Sequence, residues 1–421
     1  MIIQIQYGKG HVELDANPSF ANWHVVQPKQ QEPIQDLDAA FQQAFTNPIG
    51  CPPISELIKP TDRLVIVTSD GTRSVPNQIL LKQLIKFLNI PIENITVLLG
   101  NGTHRRNTPK EIEEMFGYEL ANSLRILNHD SYNNDLNILV GKTESRGNVY
   151  INKHYVKADK RIVLGSIEPH FFAGFSGGAK GIVPAIAGLE TIFHLHRAEL
   201  ISNPKSTWGE VENNPIHKEI LEMASLCPPD FLINVSLNTE KQITGIFAGN
   251  YIDAHKLGCE KVKENSFIKV SKKFPVVITS NSGYPLDQNL YQTVKGISAA
   301  SQIVEDNGTI FVASECSDGI SSEGNFAKLL QGGNSIDYVL QSIFLGQHCI
   351  ADQWQVQVLA AILKKANVFL YSTLQPETVE SCKMKPVQDF QSTISEHIQK
   401  LNPPVDIAVL PNGPLTVPYV G

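Results

Sequence analysis

The 421-residue chain has no apolar run approaching the roughly 20 residues that a membrane-spanning helix needs. Its N-terminus, "MIIQIQYGKGHVELDA", lacks the basic start, apolar stretch and small-residue cleavage site of a secretory signal. A cytoplasmic protein with no membrane partner is expected. Cysteine is sparse and scattered: Cys51, Cys227, Cys259, Cys316, Cys349 and Cys382 share no CxxC spacing, which argues against a disulfide framework and a thiolate zinc site. Neither charge sign dominates. The net charge is −7, and the basic residues form no patch that would favour nucleic acid. Common glycine-loop motifs are missing too. In "GFSGGAKG", Ala179 separates Gly178 from Lys180 and Gly181 follows, so the phosphate-binding GxxxxGK[ST] spacing fails. The dinucleotide fingerprint GxGxxG fails on spacing, and no HExxH pair is present.

What is present is alternation. "RLVIVTSDGTR" reads as a buried strand running into a polar loop, and "SVPNQILLKQLIKFL" has helical apolar spacing. "ITVLLGNGTH" repeats the strand and loop. In "TPKEIEEMF", Thr108, Pro109 and Glu111 spell a helix start with a capping box. "RIVLGSIEPHFF", "FPVVITSNSGYP", "GTIFVASECSDG" and "ANVFLYST" supply further strands, and "FLINVSLNTEKQITGIFAG" reads as a hairpin. The N-terminus also reads as a hairpin, turning at Gly-Lys-Gly. The pattern predicts an α/β fold: two α/β domains with mainly parallel sheets and a site in the cleft between them. The polar run "EKVKENSFIKVSKKFP" suggests a linker. We therefore expect an N-terminal domain over residues 1–270, a C-terminal domain over 271–405, and a segment 406–421 that returns to the first domain.

Ligands of open α/β sheets bind beyond the carboxyl ends of the strands. The chemically distinctive residues follow predicted strands: Asp70, Gly71, Thr72 and Arg73 after the first, His104 after the second, His170 after the third. Tyr291, Gln292 and Lys295 follow a strand of the later domain and share one helix face by spacing. Each also admits a plainer reading as a surface turn, a core histidine or an ordinary helix face. Lys180 is the only charged residue between Phe171 and Leu189. Buried and unpaired, it would become a neutral, nucleophilic amine; it could instead reach solvent along its own stem. A zinc site from His194, His196 and His170 is conceivable on residue type alone.

The segments "SDGTR", "GNGTH", "EPHFFAGFSGGAKGIVPAIAG", "HLH" and "YQTVKG", in that order from Ser69 to Lys295, resemble the nickel-dependent lactate racemase family, which racemises or epimerises 2-hydroxy acids. The resemblance implies a nickel-pincer nucleotide, a pyridinium mononucleotide with two thio-acyl arms, covalently bound to Lys180. It implies His196 as the nickel ligand, with the choice between His196 and His194 open. Asp70 to Arg73 match the loop that contacts cofactor, and His104 and His170 match the paired acid/base histidines. Arg73, Gln292 and Lys295 match substrate contacts, with Tyr291 lining the same site. Enzymes that make the cofactor are implied as partners. The chemistry suits the residues. Abstracting a C2 proton beside a carboxylate is hard, whereas removing hydride gives a planar 2-keto acid. Imidazoles then manage the hydroxyl proton near neutral pH. Two other readings compete: a nicotinamide-dependent 2-hydroxy acid dehydrogenase, whose fingerprint is missing, and a non-catalytic cofactor-binding paralogue.

Overall fold

The computed structural model describes residues 1–321, 324–346, 349–401 and 404–421. Two six-stranded sheets carry the fold. The first runs in the order Ile243–Gly249, Phe231–Leu237, Lys160–Ser166, Leu64–Ser69, Ile95–Gly100, Arg125–Asn128. All its neighbours are parallel except the Phe231–Leu237/Ile243–Gly249 hairpin. The second runs Lys385–Val387, Asn367–Tyr371, Val304–Ala313, Phe274–Ser280, Val405–Leu410, Ala21–Val25, and is parallel throughout. Near-continuous burial along Leu64–Ser69 and Phe274–Ser280 reflects cover on both faces of each sheet, by helices and, on one face of the second sheet, also by the N-terminal hairpin. No helix among the described residues is long and apolar enough to cross a membrane.

Local chemistry explains the element boundaries. Asn77–Leu88 buries the stripe Leu80, Leu81, Leu84 and Leu88 and ends at Asn89, in a left-handed C-cap. The expected capping box is present. Thr108 Oγ1 accepts the Glu111 N–H at 3.3 Å, and Glu111 Oε2 accepts the Thr108 N–H at 2.7 Å. Asn289 caps Leu290–Ala300 by accepting the Gln292 N–H at 2.9 Å. That helix is buried almost all round, so Gln292 and Lys295 are interior residues.

The structure departs from the expected domain limits in three places. Residues near the N-terminus, expected in the first domain, join the second sheet. Ala21–Val25 pairs with Val405–Leu410, and Ile3, Ile5 and Leu14 of the N-terminal hairpin pack against Val276, Ile278 and Phe311. The reason is edge cover: Val405–Leu410 is buried along nearly its whole length and needs a strand on its outer side. Val405–Leu410 itself therefore does not return to the first domain. Only the terminal strand Val417–Val420 leaves the second sheet, pairing with Phe267–Val270. The polar run read as a linker is a helix, Asp253–Ser266, followed by that strand. Its charged residues form the outer face of a helix that buries His255, Cys259 and Val262.

Strand order in the first sheet switches direction between Leu64–Ser69 and Lys160–Ser166, and in the second between Phe274–Ser280 and Val405–Leu410. One apolar core runs through both domains, with Ile182 and Val183 from the first and Val294, Ile297 and Val356 from the second. Trp208 Nε1 donates to Ser298 Oγ at 3.2 Å, and Gln357 Nε2 to the Ala198 carbonyl at 2.9 Å, across the same join.

Candidate active site

A cavity of about 150 Å³ lies where the loops of both sheets meet. Asp70, Thr72, Arg73, His104, His170, Lys180, His196, Tyr291, Gln292 and Lys295 all line it. Gly71 lines a neighbouring space of about 40 Å³, together with Asp70, Thr72, His104, Tyr291 and Gln292. The cavity thus lies beyond the switch points of both sheets, where ligands of such sheets bind.

The loops are fixed by close backbone approach. Gly102 N–H donates to the Ala185 carbonyl at 2.9 Å, joining the His104 loop to the segment after Lys180. A Cβ on Gly100 would stand 2.7 Å from Ala185 Cβ, so that crossing requires glycine. Lys180 sits on the short turn Gly178–Gly181. Asn234, buried in the middle of an apolar strand, accepts the Gly178 N–H at 2.8 Å. Gly177 has φ 78, and a Cβ there would lie 2.6 Å from Asn234 Oδ1.

Three histidines face this cavity, and the partner of each fixes its tautomer. His104 Nδ1 lies 2.7 Å from Asp70 Oδ2. Asp70 also accepts from Thr72 Oγ1 at 2.6 Å. Burial would raise the Asp70 carboxyl, but His104, Thr72 and Arg73 outweigh it and hold it below its ordinary value. A carboxylate can only accept, so His104 Nδ1 donates, and in the neutral ring Nε2 keeps a lone pair. His170 is set the other way. Its Nδ1 accepts the Ala173 and Phe172 N–H groups at 3.3 and 3.5 Å, so the neutral ring carries its proton on Nε2. Burial first, then Lys180, Arg73 and Lys295, push His170 well below the usual imidazole range. Phe171 stacks on its ring at 4.8 Å. His196 Nδ1 donates to the Ile192 carbonyl at 2.8 Å, leaving Nε2 as a free lone pair, and burial lowers it to about 4. His194 points elsewhere: Nε2 meets Ser145 Oγ at 2.7 Å and Glu219 Oε2 at 3.7 Å. The conceivable zinc trio is not assembled, and the described residues contain no group of three or more His, Cys, Asp or Glu side chains placed to hold a metal ion.

Arg73, Lys180 and Lys295 line the same cavity, and among the described residues none has a carboxylate within ion-pair distance. Burial, reinforced by Arg73, lowers Lys180 well below a normal lysine. Burial, with Arg73 and Lys180 adding to it, does the same to Lys295, whose Nζ donates to Gln292 Oε1. Lys180 Nζ stands 5.8 Å from the Phe172 ring centre. Such a site favours an anion and presents an uncharged amine.

Sequence reasoning missed Trp354 and Gln355. Both come from Gln353–Lys365, a distant helix of the second domain. Trp354 lies 4.4 Å from the His196 ring, and its Nε1 donates to Tyr291 Oη at 2.9 Å. Gln355 Nε2 donates to the Tyr291 carbonyl at 2.6 Å. The signal that could have found them is "DQWQVQ", a helix start whose glutamines are buried.

Sequence models of the lactate racemase N-terminal and C-terminal domains match residues 7–209 and 270–417. This chain belongs to the lactate racemase family. It is 35% identical over 417 residues to the lactate racemase of Thermoanaerobacterium thermosaccharolyticum, covering 98% of this chain and 97% of that protein. It is 35% identical over 376 residues to the lactate racemase of Lactiplantibacillus plantarum, covering 88% of each. The solved lactate racemase apoprotein from T. thermosaccharolyticum superposes with a TM-score of 0.89 at 34% identity, over 99% of this chain and 100% of that one. A protein from Thermotoga maritima shares the fold, with a TM-score of 0.71 at 16% identity over 93% of this chain and all of that one. Family membership makes this chain an isomerase of the racemase class, and the relatives with those names are racemases of lactate.

Proposed function

We propose that this chain inverts C2 of a 2-hydroxy acid, with lactate as the reference substrate, and that His104 and His170 are its proton-transfer groups. The observation that carries the reading is the pair of opposite tautomers on one cation-lined cavity. His104 offers a lone pair at Nε2 and can take the hydroxyl proton. His170 offers Nε2–H and can hydrogen-bond the substrate oxygen. A racemase must serve both enantiomers. The base presents a bare Nε2, as neutral His104 does and as His170 does once its proton moves to Nδ1. The imidazolium formed by taking the hydroxyl proton returns that proton to oxygen after hydride comes back to C2. In this reading Arg73 and Lys295, which line the cavity, hold the carboxylate, and Tyr291 and Gln292 wall the site.

The residues present fit the nickel-pincer nucleotide of the resemblance. Lys180 supplies an enclosed amine that burial keeps uncharged, suited to a covalent amide-type link. His196 supplies a neutral Nε2 whose orientation the Ile192 carbonyl fixes, the usual arrangement of a ligating imidazole. When bound, that cofactor would supply the acceptor for the C2 hydride. The chain's own part is to bind the carboxylate, to move the hydroxyl proton at His104 Nε2, and to keep water from the planar keto acid. All six cysteines are free, consistent with the reducing cytoplasm of this reading. Protein co-expressed with the cofactor-making enzymes should convert one pure lactate enantiomer into a mixture of both, with no net 2-keto acid. Net keto acid formation that depends on added NAD would overturn the proposal in favour of a dehydrogenase.

A further inference from the structure

His104 comes from the first domain, and Gln292 and Lys295 from the second, so their separation depends on how the domains sit together. Across that gap the His104 ring meets Tyr291 edge to face at 5.9 Å. The residue after His104 makes an ionic tie at the same place. Arg105 grips Glu111 with two prongs, Nη1 to Oε2 at 2.9 Å and Nη2 to Oε1 at 2.6 Å. The same Nη2 donates to Asp318 Oδ2 at 3.2 Å, on the loop after Val304–Ala313. Among the described residues this is the one ion pair that joins the two domains. Each end is tied to residues of the site. The Arg105 carbonyl accepts from Asn101 Nδ2 at 3.0 Å and the His104 N–H donates to the Asn101 carbonyl at 2.8 Å, so both residues belong to one braced loop. On the other side the Asp318 N–H donates to the Gln288 carbonyl at 2.7 Å. The next two carbonyls, of Gly319 and Ile320, accept the Leu290 and Tyr291 N–H groups at 3.1 and 2.9 Å. Those are first-turn donors of Leu290–Ala300, the helix that carries Tyr291, Gln292 and Lys295. Glu111 is fixed in turn by its capping-box bond to the Thr108 N–H, and Arg105 holds its carboxyl down to about 2.

We propose that Arg105 is a positioning residue: anchored on Glu111 and bonded to Asp318, it sets the distance between His104 and the helix that holds the substrate carboxylate. This rests on the racemase reading above. The bridge stands at the rim of the 40 Å³ space that shares His104, Tyr291 and Gln292 with the catalytic cavity. Its three side chains are partly exposed, and an ion pair of that kind adds little to stability. Its effect therefore falls on the geometry of the site rather than on folding. Proton transfer needs its partners within hydrogen-bond reach, and a misplacement of about 1 Å can cost about a hundredfold. The bonds from Trp208 to Ser298 and from Gln357 to Ala198 tie the domains elsewhere and brace neither the His104 loop nor the start of the Leu290–Ala300 helix. The plainer role for Arg105, as a local partner of Glu111, makes Asp318 dispensable. The two roles therefore part at Asp318.

The test measures kcat and KM from each lactate enantiomer, per cofactor-loaded subunit, in wild type, Asp318→Ala, Arg105→Ala and the double variant. Asp318→Ala leaves the Arg105–Glu111 contact and the capping box in place. Each single variant should lower kcat by about tenfold, with KM within about threefold because the carboxylate-holding cations remain. The double variant should fall no further than the slower single variant, since all three lose the same bridge. Melting temperature should barely change. Hydrogen–deuterium exchange on the same proteins should rise in the peptides spanning 101–106 and 287–292 in every variant. A kcat within about twofold of wild type in Asp318→Ala, or single losses that multiply in the double variant, would overturn the proposal. A loaded wild type that does not racemise lactate would overturn the racemase reading instead. Faster exchange in both segments would then still support the bridge, and unchanged exchange would overturn it.

Discussion

Asp70→Asn is the sharpest single perturbation of the acid/base pair. The Asp70 carboxylate is buried and 2.7 Å from His104 Nδ1. The asparagine carbonyl oxygen can keep the Thr72 bond, so the loop should hold its shape. Its amide nitrogen then faces His104 Nδ1. Two donors cannot meet, so the neutral ring must place its proton on Nε2 and lose the lone pair aimed at substrate. Loss of one hydrogen bond to a charged group costs about 1.5–3 kcal/mol, which is roughly 10- to 150-fold in rate. A wrong tautomer adds to this; the equivalent change in a serine protease triad costs about 10⁴-fold. We therefore expect kcat for lactate racemisation to fall by between about 10² and 10⁴, with KM changed much less because the cations that bind carboxylate are untouched. The assay is the initial rate from each pure enantiomer, followed by chiral chromatography on protein with matched cofactor content. A kcat within about twofold of wild type would refute the reasoning.

Replacing His104 or His170 by alanine should each reduce racemisation strongly, by about 10²-fold or more, with metal content unchanged, as checked by elemental analysis beside the rate assay. His196→Ala should instead lower metal content, while His194→Ala leaves it intact. Acid should destabilise the cofactor-free protein in a defined window. His129, His196, His217 and His255 are each held near about 4 by burial against an ordinary 6.5. Between those values the unfolded chain binds more protons than the folded one, so stability falls as pH drops from 6.5 toward 4 and gains nothing back below it. Each histidine contributes up to about 1.4 kcal/mol per pH unit, readable in the slope of Tm against pH. Thr108→Ala removes the side-chain half of the capping box and should cost about 1 kcal/mol in a denaturant titration.

The parts of the fold set by short-range patterns were legible. Strand runs ending in Ser, Gly and Asn marked the loops that carry Asp70, His104 and His170, and the Thr108 capping box needed only four residues. The cavity could be anticipated because strand ends converge in parallel sheets. What escaped depends on partners far along the chain. Nothing in "ANWHV" announces that it edges a sheet whose neighbouring strand begins at Val405. Trp354 and Gln355 reach the site only because helices of the second domain pack against the first, a contact that the glutamines of "DQWQVQ" hint at but do not place. The two histidines of "HLH" are equivalent by composition. Their separation comes from their spacing at a helix end: two residues apart they point roughly 200° apart around its axis, which sends His194 toward Ser145 and Glu219 and His196 into the cavity. The polar face of Asp253–Ser266 imitated a linker because its buried stripe contains His255 and Cys259 rather than large aliphatic residues.

The account turns on Lys180 as the covalent anchor of a racemase. Peptide-resolved mass spectrometry of protein that is actively racemising lactate tests it most directly. The account predicts added mass on the peptide containing Lys180, in proportion to activity across preparations. Active protein whose Lys180 is wholly unmodified would contradict it.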